Sequence, residues 1–429
     1  MERRAAPPTG SDAMWVSVIA ALVALRILIP LAALAAAPAK LPLLPAYAYA
    51  PLNGDSFGFY ETVANIFAAF RAMLIGWIGL ASLALMICFS SAAVILWRGG
   101  VRWLAVLLPA FGLSLVTGVL AHDVAASGAG VVGWPLIWAL SLFPLAVLHI
   151  PLTPDRAFPP GLALTLIANA ATVVATAVVG LRATGRRSVG LIAAGLYATW
   201  PLGVGIIAGS RAWENGQWRV DVGLHLYAEP VSTALVVVSL ALLLHPRLSA
   251  MSAAVAGLLL GFATAVKLTN GPVAVTLVVI VALRFGARRA AIFALGGIAS
   301  APIVVGFWSK GYVDTSGGGG GVDLGALYQW RFVSMNARTS TIFTGSMLLV
   351  LLPLAVAGIF ICTGWFQRAI LTAPIVVTVV CYSAYYVTNQ HPRFYYVILP
   401  SLFVLQAAGG VLIWEVVRRR IRPFAAAGS

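Results

Sequence analysis

Charged side chains are scarce in this sequence. They make up 9% of its 429 residues, and only 12 residues are acidic. An ordinary soluble domain is roughly a quarter charged. A soluble globular protein, a disordered chain and a coiled coil are therefore excluded. Cysteine is rarer still. Cys88, Cys362 and Cys381 lie in or at the edge of apolar runs, with neither the spacing of a zinc site nor that of a disulfide framework. Lysine is confined to Lys40, Lys267 and Lys310. This bias toward arginine fits the codon usage of a GC-rich bacterium. No clear internal repeat is present, and no polar stretch is long enough for a separate domain. Residues 1–429 read as one membrane domain.

What the sequence has in abundance is apolar run. It is 61% hydrophobic with a mean hydropathy of +0.98. The runs fall near 14–37, 73–97, 103–120, 131–150, 161–181, 189–209, 226–244, 251–266, 272–285, 290–309, 341–363, 369–388 and 394–417. Met14 to Ala37 is too long for the core of a signal peptide and reads as a retained anchor. The net charge of +15 comes in short clusters between runs: Arg98/Arg102, Arg182/Arg186/Arg187, Arg284/Arg288/Arg289 and Arg418 to Arg422. That is a positive-inside pattern and not a nucleic-acid footprint. If every run crossed, the number of crossings would be odd and several clusters would be translocated. If only two of 73–97, 103–120 and 131–150 cross, every cluster becomes cytoplasmic. Asp55, Glu61, Asp123, Asp155, Glu214, Asp221, Glu229, Asp314 and Asp323 then lie outside or at the outer rim. The expected fold is an all-α polytopic membrane protein with about 12 transmembrane helices (11–13) and both ends cytoplasmic. The run 131–150 is the weakest, because Pro135 and Pro144 each remove a backbone donor. It suits a re-entrant or internally packed segment. The runs 251–266 and 272–285 are short and are joined by Lys267-Leu268-Thr269-Asn270-Gly271, as in interrupted helices that line a cavity.

Three outer segments, 38–72, 210–225 and 310–340, exceed plain connectors, which places the chemistry at the outer face. In the first, Phe57, Tyr60, Ala64, Phe67 and Phe70 or Arg71 recur at helical spacing after Asp55, predicting an amphipathic interfacial helix. Asp55 is either its N-cap or a carboxylate able to take a proton from an acceptor hydroxyl. Trp213, Glu214, Trp218 and Asp221 suit a polyhydroxylated ligand or an aromatic belt. Glu229, followed by Pro230, is a helix cap or a site group. Gly317 to Gly321 predict a mobile flap. Tyr328, Trp330, Arg331 and Arg338 follow it as further site candidates. Arg393, at the outer start of the last run beside His391, either snorkels or binds a lipid phosphate. Lys267 and Arg26 are cations within apolar segments, which usually face a cavity or partner.

Four stretches, in order, resemble the GT-C glycosyltransferases, in particular the protein-mannosyltransferase-like and RgtA-like branch. They are Gly54-Asp55-Ser56-Phe57-Gly58-Phe59-Tyr60, Leu226-Tyr227-Ala228-Glu229-Pro230, the Gly261 to Gly271 break with Lys267-Leu268-Thr269-Asn270-Gly271, and His391-Pro392-Arg393-Phe394-Tyr395 through Pro400. The resemblance implies a bacterial plasma-membrane enzyme with its active site on the outer face. It would move a sugar from a polyprenyl-phosphate donor to a lipid, glycan or protein acceptor by inverting displacement. It implies Asp55 as base and Tyr60, Glu61, Trp213, Glu214, Trp218, Asp221 and Glu229 as substrate-binding residues. Arg393, Lys267 and His391 would hold phosphate. The first loop carries a single Asp where the family has an acidic pair, and 73–150 looks like an insertion. Without the pair, no metal or other cofactor is expected. The alternative is a multi-pass transporter or lipid flippase without glycosyl transfer.

Overall fold

A computed structural model describes residues 10–36, 55–123, 133–214, 226, 228–308, 329–336, 351–385 and 392–426. These residues are helical almost throughout, with no strand among them. In order they form α1 (Gly10–Ala36), α2 (Asp55–Ile75), α3 (Trp77–Arg98), α4 (Arg102–Asp123), α5 (Gly133–Ser141), α6 (Phe143–Val147), α7 (Pro154–Thr184) and α8 (Arg187–Glu214). There follow α9 (Glu229–Leu243), α10 (Ala250–Val266), α11 (Asn270–Phe285), α12 (Ala287–Ile298), α13 (Ala301–Trp308), α14 (Leu352–Ile361) and α15 (Trp365–Ser383). A 3₁₀ helix (Pro392–Ile398) then leads directly into α16 (Leu399–Ala426). Six helical segments are long and apolar enough to cross a bilayer: Asp12–Ala32, Gly79–Arg98, Arg102–Val119, Pro154–Thr184, Trp365–Ser383 and Tyr395–Arg419. The chain is a helical membrane protein.

Local sequence sets the helix limits. α7 starts with Pro154 in its first turn, where a missing N–H costs nothing, after Thr153 in extended conformation. It ends at Gly185, whose φ of 71° is left-handed and whose N–H returns to the Leu181 carbonyl. α10 starts at Ser249, whose hydroxyl accepts from the Ser252 N–H at 3.0 Å. Small residues then let backbones meet. A Cβ on Gly257 of α10 would lie 1.9 Å from the Phe293 carbonyl oxygen of α12, and one on Gly358 of α14 would lie 1.9 Å from that of Leu405 in α16.

The run 131–150 does not form a spanning helix. It folds as α5 and α6, of 9 and 5 residues, each with its proline in the first turn. α5 is wedged into the bundle between α2, α7 and α10, with Trp134 and Trp138 fully buried and stacked at 5.7 Å. The run 290–309 is likewise divided, at Ala299–Ser300.

One end of the bundle is basic. Arg187 pairs with Asp12 of α1, and Arg186 pairs with Glu415 of α16. Arg182 donates to the Ala241 carbonyl of α9, and the Thr363 N–H to that of Ala183. The starts of α1 and α8, the ends of α7, α9 and α14, and the far part of α16 therefore share this end.

Candidate functional site

The opposite end is uneven because the helices differ in length. From the shared basic end α7 has 31 residues, whereas α9 has 15 and α10 has 17. At 1.5 Å per residue these are about 46, 22 and 26 Å. The two short helices fall below the roughly 30 Å of a hydrocarbon core. Their ends, with the α10–α11 break, fall short of the length of α7.

Glu229 and Lys267 meet at these ends. Glu229 is buried and the Lys267 side chain is 13% exposed, and the Lys267 Nζ donates to the Glu229 carboxylate at 3.0 Å. Lys267 follows the last turn of α10 in extended conformation and also lies 5.5 Å from the centre of the Tyr382 ring. The Tyr382 and Thr269 hydroxyls are hydrogen-bonded at 2.7 Å. The break keeps its backbone satisfied. Asn270 Nδ2 donates to the Ala263 carbonyl and to the Ser232 hydroxyl, each at 2.8 Å. Asn336 Nδ2 donates to the carbonyls of Tyr382, Ser383 and Tyr385, closing the end of α15. Beneath the start of α9, the Trp134 indole donates to the Leu226 carbonyl at 2.7 Å.

A second polar cluster is more fully buried. Arg26 is 1% exposed and donates to Asn169 Oδ1 at 3.1 Å and to the Tyr396 hydroxyl at 2.5 Å. Its guanidinium lies 4.9 Å from the centre of the Tyr197 ring. The Tyr197 hydroxyl donates to Asn169 at 3.0 Å. The two clusters touch the same 3₁₀ helix through adjacent residues. Tyr395 packs edge-on against Tyr382, and Tyr396 joins Arg26.

Among the residues expected from the sequence, Glu229 and Lys267 are brought together. Each accounts for the other's burial, since a charge this deep requires a partner. Arg26 stands apart from them. Tyr60 is half-buried on α2, with burial pushing its phenol up, and Glu61 is exposed. The buried face of α2 is Phe59, Val63, Ile66, Phe67 and Phe70, so Tyr60 and Ala64 form its edge and not its centre. The displaced face follows from packing against α5 and α6, where Phe70 meets Phe143. Asp55 opens α2, Trp213 and Glu214 end α8, and Arg393 lies in the 3₁₀ helix, but their side chains lie outside the described residues. So do Trp218, Asp221, His391, Tyr328, Arg338 and the glycine run in full. Trp330 and Arg331 are exposed.

Tyr382, Asn336, Asn169 and Tyr197 were not anticipated. The available signal for Asn169 was a lone amide inside an apolar run. No protein-family model, curated protein or solved structure matches the chain.

Proposed function

We propose that the protein is a membrane glycosyltransferase that moves a sugar from a polyprenyl-phosphate donor to a lipid, glycan or protein acceptor at the outer face of a bacterial plasma membrane. The observation that carries this reading is convergence. Glu229 at the start of α9, Lys267 at the α10–α11 break and the 3₁₀ opening of the last helix come together in one place. These are three of the four stretches that carry the GT-C resemblance. The fourth, the Asp55 helix, packs on α5, and α5 touches both Leu226 and the backbone of Ala265 and Val266.

Asp55 takes the proton from the acceptor hydroxyl as it attacks the anomeric carbon. The carbon–phosphate oxygen bond breaks on the opposite face, so configuration inverts. Arg393, Lys267 and His391 bind and stabilise the departing phosphate. Because Lys267 is already held by Glu229, the donor phosphate shares that ammonium with the carboxylate. Tyr60, Glu61, Trp213, Glu214, Trp218 and Asp221 contact sugar or acceptor.

The test uses purified full-length protein in nanodiscs with a panel of radiolabelled polyprenyl-phosphate sugars and mixed lipid acceptors. The expected result is transfer in the parent and loss of at least about a hundredfold in Asp55→Asn, with donor binding kept. Transfer undiminished in that variant would move the base elsewhere. A second reading, a transporter or lipid flippase, is favoured by one observation, the charged and polar Arg26 cluster inside the bundle. Absence of donor binding across the panel would select it.

A further inference from the structure

The 3₁₀ helix Pro392–Ile398 is 7 residues long, where runs beyond 3–4 are uncommon because the hydrogen-bond geometry is poor. Something outside it must hold it, and two buried tyrosines do. Tyr395 packs against Tyr382 at 5.9 Å and 72°. The Tyr396 hydroxyl is bonded to Arg26, lies 3.1 Å from the Tyr197 hydroxyl, and its ring meets that of Tyr197 edge-on. Adjacent residues on a 3₁₀ helix point about 120° apart, so two anchored neighbours fix its rotation. The same short helix carries Arg393 in its first turn.

The cost of Arg26 points the same way. Its guanidinium is about 21 Å along α1 from Asp12, at 1.5 Å per residue, and is almost fully buried. An apolar side chain there would pack without the desolvation penalty. What an apolar residue would not supply is a directional bond to one hydroxyl of the last helix. We infer that Arg26 is a positioning residue that, through Tyr396, sets the rotation of the 3₁₀ helix in whose first turn Arg393 lies. Its functional consequence rests on the reading of Arg393 as the phosphate-binding group.

The test separates these two points. In full-length protein lacking Cys88, Cys362 and Cys381, Arg393→Cys is labelled with a membrane-impermeant thiol reagent in nanodiscs. Adding Arg26→Met or Tyr396→Phe is expected to change the labelling rate by about tenfold or more, and Arg26→Lys to restore it in part. Unchanged labelling in a folded Arg26→Met or Tyr396→Phe protein overturns the inference. Tyr396→Phe removes one oxygen and carries the test if Arg26→Met does not fold. Binding of polyprenyl-phosphate mannose is then measured in a double-mutant cycle. Arg26→Met with Arg393→Gln should bind no more weakly than Arg393→Gln alone. Additive losses overturn the positioning role. If the parent binds no donor, the glycosyltransferase reading falls, while the labelling rates still decide the register.

Discussion

Glu229 and Lys267 are worth more to each other than either is alone. Removing one partner of a buried ion pair strands the other charge and costs about 3–5 kcal/mol, whereas replacing both can be nearly neutral. Glu229→Gln and Lys267→Met should each lower the thermal midpoint in detergent markedly. The double variant should recover most of the loss while remaining inactive in sugar transfer. Equal destabilisation by the singles and the double would show that the pair is not coupled. Tyr60 gives a pH prediction. Burial raises its phenol above the ordinary value, so it remains a neutral hydroxyl through the neutral range. The effect of Tyr60→Phe on donor affinity should therefore be constant from about pH 6 to pH 9, measured by equilibrium binding. Both members of the ion pair stand out in the sequence as charges in apolar surroundings. Their pairing does not, because they lie 38 residues apart, one at a helix start and one in a break between helices, and no periodicity links them.

Among the helices, the closest approaches depend on glycine. The Cβ of Gly257→Leu would overlap the Phe293 carbonyl, so α10 and α12 must separate. Overpacking of this kind costs about 1–3 kcal/mol or more. The variant should lose its monodisperse peak in size-exclusion chromatography. Gly195→Ala in α8 is the control. It meets nothing within 4 Å and should be neutral or slightly stabilising. Apolar runs located most of the described helices, helical spacing located α2, and the proline pair 135/144 marked the segment that folds as two short helices. The face that α2 buries was legible only in part. Phe59 and Val63 turn inward where α5 and α6 occupy that side, and α5 is tied into the bundle by the bonds of its tryptophans to Leu226 and Ala157.

For the molecule as a whole, the Arg187–Asp12 and Arg186–Glu415 pairs hold the start of α1 and the C-terminal part of α16 at one end. Partly exposed pairs contribute about 0–1 kcal/mol each, so they matter here as geometry. The expected topology, with both ends on one side, has the even number of crossings that this arrangement requires. With the basic end cytoplasmic by the positive-inside rule, a fluorescent protein fused after Ser429 should mature in the cytoplasm. A cysteine at Gly319 should be labelled from outside. A fusion reporting an external C-terminus would overturn both the parity and the orientation.

The sequence by itself determined the solvent. With 9% charge and apolar runs of spanning length, the chain can satisfy its backbone only as helices in lipid. It also determined which end is basic and which side chains are too polar for their surroundings. The tertiary structure alone decided how those side chains are shared out: Lys267 to Glu229, Arg26 to Tyr396, and adjacent tyrosines to separate clusters. The physical reason is that burial of a charge is paid for by a partner in space, and helices brought together by packing supply partners that no local pattern in the chain specifies.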